Sequence, residues 1–232
     1  MSSQKTVQVV FLLCTLAGVI YNSWPLGYVL NNQALRSGLA SDLERAGQPY
    51  YWLFILGDIL TGVCTIAVCA IVWFKLRSEF HSKTWVLAYI GLFLFGLFTA
   101  FASLVPSHCT VTSILSCGIN VGKGLGFDAL FSSIAALGLF ISLFCVTLLS
   151  IQHRLRVRLR LIAQLTLVAW SVVGLLFIVF ATIYGRLAQA QLLQQIFLIL
   201  TGIALLVIGL IIDRATRNTA RPNRASTDLR LG

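Results

Sequence analysis

Six long apolar runs, separated by short polar segments, constrain the fold of this chain more than any other feature. They span residues 7–24, 51–74, 85–105, 127–151, 161–184 and 192–212. Each is close to the length of about 20 residues that a helix needs to cross hydrocarbon. Only helices and closed barrels satisfy every backbone amide there, and these runs lack the alternation of barrel strands. We therefore predict an all-α, polytopic membrane protein with six transmembrane helices.

The composition supports hydrocarbon as the surrounding solvent. Only 10% of the 232 residues are charged and 58% are hydrophobic, whereas soluble domains contain roughly 25% charged residues. The first run follows Lys5 and has the length of a signal-peptide core, but no small-residue cleavage site follows it. The sequence favours an uncleaved first helix over a removed signal peptide.

The distribution of basic residues predicts the orientation. Most of the 17 Lys and Arg residues lie in the N-terminus, the second loop, the fourth loop and the C-terminal tail. Cytoplasmic loops carry such an excess, so both termini are predicted to be cytoplasmic. The net charge of +10 then predicts anionic lipid headgroups as partners. Nucleic acid is not expected, because no recognised nucleic-acid-binding pattern accompanies the charge.

No linker divides the chain, so residues 1–212 are predicted to form one transmembrane domain. Residues 213–232 are polar, rich in arginine and without apolar periodicity. Such a segment cannot bury enough apolar surface to fold alone. It is predicted to be a disordered, lipid-associated cytoplasmic tail.

Two of the six cysteines, Cys109 and Cys117, lie in the third loop, which the charge distribution places outside the membrane. Disulfides persist in that compartment, and the short separation is easy for a loop to close. We predict a Cys109–Cys117 disulfide, with two unpaired thiols as the alternative. With His108 they offer only three potential ligands and no zinc spacing, so no metal is predicted.

Neither a cofactor nor a catalytic residue is predicted. The histidines, His81, His108 and His153, all lie in loops, whereas a membrane haem needs axial ligands on facing helices. The chain also lacks the motifs of serine hydrolases, zinc proteases and phosphate-binding loops.

Asp58 is the most informative polar residue, because it lies about 10 Å inside the second helix at 1.5 Å per residue. A carboxylate at that depth is costly, so it should face the bundle or a wet cleft. One hypothesis is a polar pocket that opens outward. Its candidate residues are Asp58, Asp128, Lys123, Asn22, Asn31, Asn32 and Gln48. The alternative is structural: an ion pair, or a helix N-cap formed by Asp128.

The first outer loop, residues 25–50, is too long for a simple turn. Its mixture of apolar and charged residues between Leu35 and Leu43 predicts a short amphipathic helix that lies on the membrane. Long ordered loops often carry function. This loop is therefore a second candidate for a binding surface.

Three segments carry a resemblance to a known family. They are Asn22-Ser23-Trp24-Pro25-Leu26-Gly27, Gly47-Gln48-Pro49-Tyr50 and the Pro106…Cys109…Cys117 loop. With them the chain resembles prokaryotic membrane proteins of the domain-of-unknown-function 998 family (DUF998). The resemblance implies six helices, two cysteines in this loop and a prokaryotic cell membrane. The family's histidine at the start of the fourth helix is missing, with Asp128 nearby instead.

These observations leave three classes of function. The first is a non-enzymatic permease-like, sensor or accessory bundle, and it is favoured because no catalytic motif is present. The second is a membrane-embedded enzyme that uses Asp58 and Asp128 on a lipid or small polar substrate. The third is a structural or assembly partner that binds through the first outer loop.

Overall fold

The computed structural model describes residues 3–31, 39–44, 47–76, 82–105, 124–152, 155–182 and 187–228. Six long helices run through this part of the chain, and no strand occurs in it. They are α1 (Ser3–Tyr21), α2 (Tyr51–Ile71), α3 (Lys83–Leu104), α4 (Gly124–Gln152), α5 (Val157–Thr182) and α6 (Leu187–Asp228). All six are long and apolar enough to cross a membrane. The predicted all-α architecture with six spanning helices is confirmed.

The helices begin and end within a few residues of the predicted runs, with one exception. Helix α6 continues from Ile212 to Asp228, where the sequence predicted a disordered tail. The extension has a local cause, because Arg217 donates to Asp213 one turn earlier, at 2.8 and 2.9 Å. Opposite charges four residues apart stabilise a helix, and no glycine or proline interrupts the chain before Pro222.

The six helices form a ring in chain order. Each of α2, α3 and α4 packs against its predecessor, α5 packs mainly on α6, and α6 returns to α1. The contact between α4 and α5 is smaller and closes the ring. Trp170 of α5 joins its neighbour α6, because its indole N–H donates to the Thr201 hydroxyl at 3.0 Å.

Glycines face each other at three of the helix crossings. Gly18 meets Gly202 between α1 and α6, Gly62 meets Gly96 between α2 and α3, and Gly91 meets Gly138 between α3 and α4. A Cβ added at any of them would collide with the carbonyl oxygen of its partner. Because lipid offers no hydrophobic drive between helices, close backbone packing at small residues holds such bundles together.

Polar and apolar side chains are distributed as a hydrocarbon solvent requires. Hydroxyl groups inside the bundle, such as those of Thr65, Ser103 and Thr147, donate to the carbonyl oxygen one turn earlier. Large apolar side chains cover the outside, and Leu165 of α5 is 68% exposed. The described helices therefore present hydrocarbon outward, and backbone carbonyls accept from several of their buried hydroxyls; the Ser142 hydroxyl is an exception, with no hydrogen-bond partner among the described residues.

Replacing Gly138 with valine is expected to destabilise the bundle by about 3 kcal/mol, since overpacking against backbone cannot be relieved by rotating a side chain. The new Cβ would lie 2.6 Å from the Gly91 carbonyl oxygen and 2.8 Å from the Phe95 nitrogen. Thermal unfolding of the detergent-solubilised protein measures the effect. The matched control is Ser132→Val, at an exposed position on the same helix. Equal melting temperatures for the two variants would contradict the close crossing.

Candidate functional site

The connection between α1 and α2 folds over one end of the bundle, which we call the capped end. After α1 the chain forms a 3₁₀ turn at Trp24–Leu26, where Pro25 presets the backbone, and a helical turn at Gly27–Leu30. A second 3₁₀ turn spans Ala40–Glu44. Residues Leu39–Glu44, hereafter the cap, lie against the start of α6.

Hydrogen bonds hold the cap in place. Within it, a carboxylate oxygen of Asp42 accepts from the Leu39 backbone N–H at 2.7 Å. Towards the bundle, the Ala40 N–H donates to Gln194 Oε1 at 2.7 Å, and Gln194 Nε2 donates to the Ser41 hydroxyl at 3.3 Å. Both Asp42 and Gln194 are buried. Because buried amides must be paired, Gln194 acts as the latch between the cap and α6.

Apolar contacts also hold the cap against the bundle. Ala40 and Leu43 form a buried cluster with Phe54 of α2, and Trp24 and Leu198 pack against it. The sequence predicted an amphipathic helix lying on the membrane from Leu35 to Leu43. That prediction is wrong for residues 39–43, because their apolar side chains are buried against protein; residues 32–38 lie outside the described part of the chain.

Asp58 lies on α2 below the cap and is partly buried. Asp58 and Glu44 are both electrostatic neighbours of the Tyr21 hydroxyl. The Tyr21 ring packs edge-on against Phe95 of α3, with 5.9 Å between ring centroids. Asp58 is therefore within electrostatic range of α1. Its place in an outward-opening polar pocket stays a prediction.

Asn22 and Trp24 place buried polar atoms near the same end. Asn22 contacts Gly202 of α6, and its Nδ2 donates to the Gly18 carbonyl at 2.9 Å. Asn22 Oδ1, an acceptor, and Trp24 Nε1, a donor, are buried without a hydrogen-bond partner among the described residues. Each such group costs about 1–3 kcal/mol. The capped end thus contains two buried polar atoms that make no hydrogen bond with the described residues.

The structure unites only part of the predicted pocket. Asn22 contacts α6 and Asp58 is within electrostatic range of Tyr21, while Asn31 donates to Gln48 Oε1 at 2.8 Å. Helix α4 already begins at Gly124, so the alternative of an N-cap formed by Asp128 is wrong. The side chain of Asp128 lies outside the described part of the chain, as do Lys123 and Asn32.

The predicted Cys109–Cys117 disulfide, and His108 with it, also lies outside the described residues. It stays a prediction. The four cysteines that the structure does describe are free and buried: Cys14, Cys64, Cys69 and Cys145. They fill space inside the bundle as small apolar side chains.

Sequence reasoning missed Gln194, Asp42 and the buried polar atom of Trp24. Gln194 belongs to a group of glutamines at the start of the sixth apolar run, a composition that marks an ordinary helix boundary. The only sequence signal was that a glutamine falls inside the predicted span at all. Its partner is 154 residues away in the chain, so no local pattern could identify the latch.

Replacing Gln194 with leucine is expected to cost about 1–3 kcal/mol, because the buried Ala40 N–H loses its acceptor. Hydrogen–deuterium exchange of residues 39–44 measures the effect. Exchange is expected to be faster in these residues and unchanged in the six long helices. Gln195→Leu is the matched control, since Gln195 donates to the Tyr28 hydroxyl at 3.2 Å in an exposed hydrogen bond rather than to the cap. Equal exchange in the two variants would exclude the latch.

Comparison with known proteins supplies one match. The chain matches no curated protein and no solved structure. The model of the family described as "Protein of unknown function (DUF998)" matches residues 7–208 of the 232. The match covers α1 to α5 and most of the membrane-spanning part of α6. The chain therefore belongs to the DUF998 family, as the resemblance in its loops predicted.

Proposed function

We propose that this DUF998 protein is a non-enzymatic membrane protein that receives a small polar solute beneath its cap, as a permease-like or sensor bundle does. The observation that carries the proposal is the cap latched to α6 by Gln194. Irregular backbone at such a position is tolerated only where protein or a wet cavity surrounds it. A segment of this kind, seated on the end of a bundle, is suited to covering a binding site.

The polar atoms beneath the cap indicate the kind of solute. Gln194, Leu198 and Gly202 follow at four-residue spacing and share one face of α6. Along this face lie the cap, the apolar cluster with Trp24, and Asn22. A solute carrying both a donor and an acceptor would satisfy Asn22 Oδ1 and Trp24 Nε1. An apolar solute would leave both atoms uncompensated.

The way the cap is attached suits reversible access. Two hydrogen bonds with Gln194 and a small apolar cluster are among the contacts that hold it. A net hydrogen bond contributes about 0.5–1.5 kcal/mol, so releasing the latch costs only a few kcal/mol. Lids and binding loops are drawn from such weakly held segments. The acid Asp42 braces the cap itself through Leu39. In this proposal Asp58, which is partly buried on α2, is the carboxylate that meets water.

In this proposal the protein resides in the cell membrane of a prokaryote, with its capped end outside. The excess of Lys and Arg at the opposite end supports the orientation. Six described helices that are long and apolar enough to cross a membrane support a multi-pass membrane location. The Cys109–Cys117 disulfide, in the α3–α4 connection at the same end, would form in that compartment.

A cysteine at position 58 is expected to react with a membrane-impermeant thiosulfonate added outside intact cells. The background is a variant whose six native cysteines are replaced by alanine. Reaction should be about tenfold or more faster than at Leu60→Cys, because a thiolate forms only where water reaches. Leu60 lies half a turn away on the exposed, lipid-facing side of α2. Equal protection of the two positions would overturn the wet site.

A further inference from the structure

The end of the bundle opposite the cap, hereafter the basic end, carries an open cleft of about 430 Å³. It lies between the start of α5 and the part of α6 from Leu210 to Arg217, where the extension begins. Four arginines line it: Arg156, which directly precedes α5, Arg158 of α5, and Arg214 and Arg217 of α6. Ligand sites typically occupy about 300–1,000 Å³, so the cleft has room for a headgroup-sized ligand.

The arginines are arranged to bind an anion. All four are exposed, and one carboxylate, Asp213, lies beside two of them. Asp213 holds Arg217 at 2.8 Å and lies 3.9 Å from Arg214. A guanidinium has five donors, so pairing with one carboxylate leaves donors for another acceptor. Planar guanidinium groups bind phosphate in bidentate fashion.

The remaining wall of the cleft is apolar. It is formed by Leu155, Leu159, Ile162 and Leu210. Ile162 is 48% exposed, and the outer face of α5 continues along the bundle with exposed Leu165 and Val168. The arginines thus stand at the boundary where an apolar groove begins. A soluble phosphate would use only the polar half of such a cleft, whereas a phospholipid would use both halves.

The local backbone fixes the rim of the cleft. Leu155 is buried and its N–H donates to the Ser150 carbonyl at 3.1 Å, which ties the α4–α5 connection to α4. Helix α5 then begins, with the Leu159 and Arg160 amides donating to the Arg156 carbonyl. The positive end of its dipole lies at the cleft and adds to the field of the arginines. The arginines therefore project from anchored backbone.

We infer that this cleft is a specific site for one anionic phospholipid, whose phosphate binds the four arginines while an acyl chain lies along Ile162 and Leu210. General attraction between basic loops and anionic lipid needs no defined position. A cleft that joins arginines of two helices to an apolar wall selects one lipid at one place. The cleft lies at the opposite end of the bundle from Asp58, so the proposed lipid site does not depend on the proposed solute site.

The test is native mass spectrometry of the full chain in detergent, titrated with phosphatidylglycerol or phosphatidylcholine. The wild type is expected to bind one phosphatidylglycerol in preference to phosphatidylcholine. The double variant Arg156→Gln, Arg158→Gln should bind phosphatidylglycerol about thirtyfold more weakly. Each basic residue near a lipid surface changes the affinity by about fivefold, and the two losses multiply. The single variant Arg214→Gln, which changes a half-exposed side chain, should weaken phosphatidylglycerol binding about fivefold. It provides a second, milder test of the site.

The matched control is Lys75→Gln with Lys83→Gln, which removes the same charge from exposed positions at the basic end outside the cleft. Binding by this control should stay within about threefold of the wild type. Equal weakening by the two double variants, or no preference for phosphatidylglycerol, would overturn the site. Glycerol phosphate should not displace the lipid; full displacement by it would overturn the assignment to a lipid. Unchanged thiosulfonate labelling at Asp58→Cys in the arginine variants separates this result from the solute site.

Discussion

The pairing of backbone amides without water is the constraint on which the rest of this structure depends. In hydrocarbon each N–H must find its partner inside the helix, and the six apolar runs do this by forming helices. Association then has to come from contact, because the lipid is as apolar as the helix surfaces. Facing glycines at three crossings supply that contact. Buried hydroxyls such as those of Thr65, Ser103 and Thr147 are satisfied by carbonyl oxygens of their own helix.

The same constraint explains why the features of interest lie at the two ends. At the capped end the chain leaves helical geometry, and the freed amides must be paired by side chains; Gln194 and Asp42 do so. At the basic end α6 continues beyond the apolar run, with Asp213 and Arg217 paired along it. That extension brings Arg214 and Arg217 beside Arg156 and Arg158. A solute and a lipid would thus meet the bundle at opposite ends, each where its own chemistry is available.

The fold class was predictable from sequence because length and hydropathy alone decide it. The helix partners were not, since a glycine such as Gly138 looks the same in sequence whether it packs or sits in a loop. The outward-opening pocket around Asp58 stays a prediction, whereas the alternative of an N-cap at Asp128 was wrong because the helix begins at Gly124. The latch and the arginine cleft each join residues that are distant in the chain, such as Ala40 with Gln194. In sequence the arginines indicated the orientation and a general attraction to anionic lipid, but no defined site.

The central claim, that hydrocarbon surrounds the outer faces of these helices, is tested most directly by spin labels on α5. Labels are placed at Leu165, Val168 and Val172, which lie on its exposed face, in the variant without native cysteines. Their collision rates with oxygen and with a water-soluble nickel chelate are then measured in lipid bilayers. High oxygen and low nickel collision rates at all three positions are expected. Nickel collision rates typical of water at these positions would contradict the account.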